Sequence, residues 1–157
     1  DGQVRVAMGT PRRNPVATAV RLGDHQWYGY PVDVGNPHCV VRLTDLSQLA
    51  SLDLTQPVGA DPGQFPEGAN AEFVVGLAQT HLRMRVVERG VGETASCGTG
   101  AVAVSLDARE RSDGGDSAYL VEVPGGVLTV DFDSGGAAWL TGPASIVARG
   151  EVVLPDD

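Results

Sequence analysis

The chain has 157 residues, 42% of them hydrophobic and 20% charged, which suits about one domain with a sizeable core. Its net charge of −9 argues against non-specific nucleic-acid binding, and no apolar run approaches the roughly 18 residues of a membrane-spanning helix. The two cysteines, Cys39 and Cys97, make no disulfide framework, and all eleven basic residues are arginine, so the chain has no lysine to offer pyridoxal phosphate as a Schiff-base partner.

The chain opens Asp1-Gly2-Gln3, with no methionine and no signal-peptide pattern. Val4 to Met8 already alternates like a half-buried strand, so the sequence reads as starting inside a longer polypeptide. Val16–Leu22 and Gln26–Val34 are β-rich, and the turn between them includes Gly23-Asp24, a hairpin signal. Gly35-Asn36-Pro37 reads as a turn, after which Cys39 to Leu43 resumes as a strand. Leu46, Leu49 and Leu52 recur at helical spacing and predict a short helix over Asp45–Leu52. Gln56 to Gly68, rich in Pro and Gly, reads as loop. Ala71–Leu77 and His81–Val87 are predicted strands, the second alternating Leu82, Met84, Val86.

A helix is predicted from about Gly98 to Arg111, stopping near Ser112-Asp113-Gly114-Gly115. Its first half is apolar on nearly every side and is expected to be buried by sheet. Its charged last turn, Asp107 to Arg111, is expected in solvent. Strands follow at Tyr119–Val123, Gly126–Phe132, Ala137–Thr141 and Ser145–Val153, with Val-Pro-Gly-Gly and Asp-Ser-Gly-Gly turns. One buried helix among many strands argues for a single α+β domain whose sheet curls around the helix.

The chemistry concentrates in Glu88 to Gly100, Glu-Arg-Gly-Val-Gly-Glu-Thr-Ala-Ser-Cys-Gly-Thr-Gly. It puts Cys97 in the first turn of the predicted helix. Backbone N–H groups there lack intrahelical acceptors and the dipole is positive, a place for a carboxylate and one that favours a thiolate. Most cysteines of this kind are small buried hydrophobes. A packing cysteine, however, needs neither Gly-Thr-Gly behind it nor Glu88-Arg89 before it. Three weaker features are Asn36 and His38 on one turn, Asn70 at a strand start, and Glu88-Arg89 at a strand end. Taken singly they are turn formers and a surface ion pair. No metal is expected: His25, His38 and His81 lie far apart, with no CxxC or HExxH spacing. The Gly90–Gly100 stretch is neither a Walker loop nor GxGxxG.

Together these residues carry a resemblance. Gly35-Asn36-Pro37-His38, Asn70, Glu88-Arg89-Gly90, Gly92-Glu93-Thr94 and Cys97-Gly98-Thr99-Gly100 resemble the ordered motifs of the diaminopimelate epimerases, as do Val123-Pro124-Gly125-Gly126 and Leu140-Thr141-Gly142-Pro143. The variants Val32-Asp33-Val34 and Thr94-Ala95-Ser96 are most similar to actinobacterial members. The resemblance implies one of two similar domains, each a barrel-like mixed sheet wrapped around a central buried helix. Residues 1–157 would be the second domain with its entering strand. The family's first cysteine, in Met-Cys-Gly-Asn-Gly, has no counterpart here, and Cys39 does not stand in for it.

The implied activity is a cofactor-independent two-thiol epimerisation of LL-2,6-diaminopimelate to the meso form, for lysine and peptidoglycan synthesis in the cytoplasm. Cys97, Glu88 and His38 would be catalytic. Asn36, Asn70, Glu88, Arg89, Gly98 and Thr99 would bind the substrate, a small diamino dicarboxylic acid. The implied partner is the first domain, with a homodimer left open and neither nucleic acid nor membrane involved. Two alternatives stay open: an isolated binding half without catalysis, and a related racemase or isomerase of the same fold. Cys97 argues against relatives that lack the thiol pair. Glu88-Arg89 with the two asparagines argues against proline as substrate.

Overall fold

A computed structural model describes residues 2–112, 115 and 118–152. The elements, in chain order, are β1 (Gly2–Gly9), β2 (Arg12–Arg13), β3 (Thr18–Leu22), β4 (His25–Asp33), β5 (Pro37–Arg42), α1 (Leu46–Ser51), β6 (Val58–Ala60), β7 (Asn70–Ala78), β8 (His81–Glu88), β9 (Gly92–Thr94), α2 (Gly98–Arg111), β10 (Ala118–Val123), β11 (Gly126–Phe132) and β12 (Ala138–Ala144). The fold is therefore dominated by mixed sheet with few helices. No described helix is long and apolar enough to cross a membrane.

Strand order along the sheet is β1-β12-β11-β10-β8-β7-β5-β4-β3-β6, with β2 beside β4 and β9 beside β8. Sequence neighbours pair antiparallel wherever a tight turn permits it. Gly23, at φ +55°, supplies the left-handed residue that the two-residue β3–β4 turn needs. Two pairs are parallel, β5 with β7 and β8 with β10. Parallel neighbours require a long crossover. The first crossover carries α1 and β6; the second carries β9 and α2. Among the described strands, β1 and β6 remain as edges, so the expected barrel-like sheet is not a closed barrel.

Alternation along the middle strands builds two cores. Val40, Val74, Met84 and Val86 lie in a cluster with Ala101, Val102, Ala103 and Val104 of α2. Cys39, Val41, Phe73 and Val75 point the other way, into a cluster with Val20, Leu49 and Leu54. That second core was not foreseen. It explains why β5 and β7 read as unbroken apolar runs: both of their faces are covered. Every residue of α2 from Gly100 to Ala108 is buried, and the helix contacts β4, β5, β7, β8, β10, β11 and β12. Its glycines, Thr99 and the valines Val102 and Val104 are weak helix formers, and burial of its apolar body against sheet supports it.

Most predicted elements form, with shifts of a few residues at their ends. The helix predicted over Asp45–Leu52 is α1, and Asp45 caps it by accepting from Gln48 N–H. Four expectations need correction. β1 is exposed along nearly its whole length, not half-buried, because it is an edge paired only with β12. The Gln56–Gly68 segment is not all loop: β6 pairs with β3. No strand forms over residues 145–152: the β1–β12 register ends at Gly2↔Ala144, and the expected strand does not extend past β12. Val153 lies outside the described residues, as do Asp113 and Gly114 of the predicted helix stop, and Asp1.

The fourth correction concerns Asp107, which is fully buried rather than solvated. Its carboxylate accepts from Arg13 Nε at 2.7 Å and Arg42 Nε at 2.6 Å, with Arg111 Nε at 3.4 Å. Helical periodicity cannot reveal this, since the partners come from β2 and β5. Removing one partner from a buried ion cluster strands the others. Asp107→Ala should therefore lower unfolding free energy by about 3 kcal/mol or more in urea titration, whereas loss of under about 1 kcal/mol would mean that the arginines find water instead.

Candidate active site

One end of the sheet gathers nearly all the residues that the sequence singled out. The β4–β5 turn carries Asn36, β5 begins with His38, β7 begins with Asn70, β8 ends at Glu88, and α2 starts beside them. Register makes this a consequence of topology. The parallel pairing sets His38 against Asn70, and Glu72 pairs with Val86 in the antiparallel β7–β8 ladder. Residues two apart on a strand share a face, so His38, Asn70, Glu72 and Glu88 lie on the side that receives α2.

Cys97 is the N-cap of α2, one residue before its first turn. Its backbone is extended, and its sulfur accepts from Gly100 N–H at 3.3 Å. Thr99 Oγ1 lies 3.5 Å from the same sulfur. Asn36 Nδ2 donates to Thr99 Oγ1 at 3.4 Å, and Asn36 Oδ1 lies 3.0 Å from His38 Nε2. The other ring nitrogen, Nδ1, lies 2.6 Å from Glu72 Oε1. A continuous polar chain thus runs from Glu72 through His38, Asn36 and Thr99 to the Cys97 sulfur.

Glu72 is the site residue that sequence reasoning passed over. It is fully buried, and its Oε2 has no hydrogen-bond partner. The signal was present: a lone carboxylate inside Ala71-Glu72-Phe73-Val74-Val75, on a strand otherwise apolar on both faces. Gly100 makes room for it, since a Cβ there would fall 2.9 Å from Glu72 Oε1.

The other expected residues are placed as follows. Asn70 Oδ1 accepts from Arg89 N–H at 2.9 Å, fixing the end of β8. Glu88 Oε1 accepts from Thr94 Oγ1 at 2.5 Å. Glu88 and Arg89 do not form the neighbouring ion pair considered above. The Arg89 side chain, 42% exposed, donates to the Glu67 carbonyl, with the exposed Glu67 carboxylate 3.6 Å away. Gly98 opens α2 beside Leu140, which a Cβ would meet at 2.8 Å. Cys39 points into the other core, away from the cluster. A cavity of about 630 Å³ between the Gly23-Asp24 turn and α1 contains none of these residues. Among the described residues, no group of three His, Cys, Asp or Glu side chains forms a cluster able to hold a metal.

The electrostatics correct one expectation. The start of α2 was expected to favour a thiolate at Cys97. Burial pushes this thiol above its ordinary range instead, with Glu72 and Glu88 acting in the same direction and the Thr99 and Gly100 hydrogen bonds opposing it. Desolvation of the charged form outweighs the helix start. Burial, with Glu72 nearby, also pushes Cys39 up to about 12. Alkylation followed by mass spectrometry should find Cys97 slow at neutral pH and faster as pH rises, because only the thiolate attacks. Cys39 should react only on unfolding. A Cys97 faster at neutral pH than in the denatured chain would contradict this balance.

The profile of the diaminopimelate epimerase family matches residues 30–147. The chain is 43% identical over 158 residues to a diaminopimelate epimerase of Streptomyces coelicolor, covering 96% of this chain and 54% of that protein. It is 45% identical over 154 residues to one of Rhodococcus opacus, covering 96% and 52%. The chain thus spans about half the length of the curated relatives it matches. In fold it resembles a predicted epimerase from Pseudomonas aeruginosa, at TM-score 0.61 and 15% identity, covering 98% of this chain and 59% of that one. By its sequence, the chain belongs to the diaminopimelate epimerase family.

Proposed function

We propose that this chain supplies one half of a diaminopimelate epimerase site, which interconverts LL- and meso-2,6-diaminopimelate without pyridoxal phosphate. The observation that carries the reading is the convergence at one sheet end of a capping thiol, two amides, an imidazole and a half-exposed guanidinium. Epimerisation requires a proton to leave one face of the α-carbon and another to arrive at the opposite face. Cys97 is the thiol of one face. Buried as it is, it rests protonated, the form that delivers a proton. The thiol of the other face would come from a first domain.

The remaining roles follow from the positions. The α-proton of an amino acid is weakly acidic, so fixed dipoles must hold the carboxylate as charge develops. Gly98 and Thr99 at the start of α2 lie where backbone N–H groups are available to do so. Asn70 Oδ1 is taken by Arg89 N–H, so its Nδ2 is what it can give a ligand. Arg89 is held only by a carbonyl and an exposed carboxylate, and can turn to grip a substrate carboxylate with two parallel hydrogen bonds. Asn36 and Glu88 would meet the ammonium group. His38 and Glu88 would stand behind the thiols in the proton chemistry. The reading includes a barrel-like sheet about a central α2, a cytoplasmic setting and an association with the first domain. A homodimer is compatible with it.

A second reading is supported by the half-length match: a domain that binds a carboxylate and does not turn it over. The chain alone, and the chain mixed with a separately produced first domain of a relative, should be assayed for LL-to-meso conversion and α-deuterium uptake in D₂O. Conversion only in the mixture supports the epimerase half. No conversion in either favours the binding domain. Robust conversion by the chain alone would demand a second base within this sequence, with His38 the first to test.

Two substitutions extend the test in the mixture. Cys97→Ala should lower kcat by about 100-fold or more, the usual scale of a positioned acid–base group, with the fold intact by circular dichroism. Near-parent turnover would remove Cys97 from the chemistry. Arg89→Lys should raise KM about tenfold or more, since an ammonium cannot reproduce the two-pronged grip. Unchanged kinetics with a large loss of stability would make Arg89 a structural residue.

A further inference from the structure

We propose that Glu72 is kept as the neutral acid and, through His38, sets the direction of every hydrogen bond leading to Cys97. Glu72 comes from β7, inside a strand whose other buried side chains are apolar apart from Asn70 at its start. Its carboxyl has one partner, His38 Nδ1, while Oε2 has none. An anionic oxygen left unpaired in a fully buried place is far more costly than an unpaired carbonyl oxygen. The titratable groups coupled to Glu72 are His38 and Cys39 on β5, Glu88 on β8 and Cys97 at the cap of α2. Burial pushes the Glu72 carboxyl up and Glu88 acts in the same direction, while His38 and the residue's own backbone N–H oppose them.

The consequence is directional. A protonated Glu72 donates to His38 Nδ1, so the imidazole is neutral with its proton on Nε2. That proton goes to Asn36 Oδ1, 3.0 Å away. The Asn36 amide can then face only one way, with Nδ2 donating to Thr99 Oγ1. The Thr99 hydroxyl, having accepted there, has its own proton free for the Cys97 sulfur at 3.5 Å. The opposite arrangement, a carboxylate at Glu72 and a proton on His38 Nδ1, would reverse the amide and turn Asn36 Oδ1 toward Thr99. Glu72 never touches the sulfur. It acts through His38 and is a positioning residue.

Long-range proton–nitrogen correlation on the 157-residue chain with labelled histidine reads the ring state directly. His38 should carry its proton on Nε2 at neutral pH. Glu72→Gln should keep that state, because an amide N–H can donate to Nδ1 just as the acid does. Glu72→Leu should let the ring proton exchange between the two nitrogens, because leucine offers Nδ1 no donor. A ring protonated on Nδ1, or on both nitrogens, at neutral pH overturns the proposal. So does loss of the Nε2–H form in Glu72→Gln, which decides the matter if Glu72→Leu does not fold. A Glu72→Leu chain that folds with the ring proton still fixed on Nε2 overturns it as well.

The bearing on catalysis rests on the epimerase reading and has its own readout. In the mixture with a first domain, Glu72→Leu should lower kcat about tenfold or more, and Glu72→Gln, which can still donate to Nδ1, should restore it to within about threefold with an unchanged pH profile. An inactive parent mixture beside an Nε2–H ring would defeat the epimerase reading and leave the assignment of Glu72 standing. An active parent whose Glu72→Gln variant has a shifted pH profile would overturn the positioning role.

Discussion

The contact on which the site depends is the approach of the first turn of α2 to β7. Gly100 carries no side chain, and that absence lets the helix start sit against the buried carboxyl of Glu72. The same turn offers its Gly100 N–H to the sulfur of the capping residue. A larger residue would push Glu72 away from His38 or displace the cap, and the polar chain from β7 to Cys97 would break. The helix is held in that seat by its apolar body. Gly100 to Ala108 is buried against sheet, so the position of the helix start is set by packing several residues further along.

Two opposing effects act on Cys97. The open N–H groups at a helix start stabilise negative charge, and burial destabilises it. Burial wins in this chain, with the Glu88 carboxylate acting in the same direction. The outcome is a thiol whose proton is retained until something changes its surroundings. A substrate ammonium or carboxylate, or a covering domain, would alter both the charge and the solvation of the sulfur.

The sheet separates stability from chemistry. The cluster around Phe73, Val41 and Val20 lies on the face away from α2. Asp107 ties the helix to β2 and β5 through arginines, well along the helix from Cys97. At the end that carries Asn36, Asn70, Glu88 and Arg89, the first three are held by close hydrogen bonds, and the Arg89 side chain is tied only to the Glu67 carbonyl and, at 3.6 Å, to its exposed carboxylate. Rigid packing lies behind the site, and adaptable polar groups lie at its mouth.

Local signals in the sequence determined a good deal. Alternation found most of the strands, leucine spacing found α1, and the Cys-Gly-Thr-Gly motif found the helix start. The grouping of Asn36, His38, Asn70, Glu88 and Cys97 was readable because motif order stands in for spatial proximity in a family resemblance. What depends on neighbours distant in sequence was not legible. Edge exposure of β1, the missing strand after Ala144 and the second core all follow from which strands happen to pair. Asp107 looked like a solvated helix residue until arginines from β2 and β5 closed over it. Glu72 looked like one more strand residue, and the rest state of Cys97 looked like a thiolate. Only the tertiary structure decided these, because burial is set by the whole fold, and burial determines whether a carboxyl or a thiol keeps its proton.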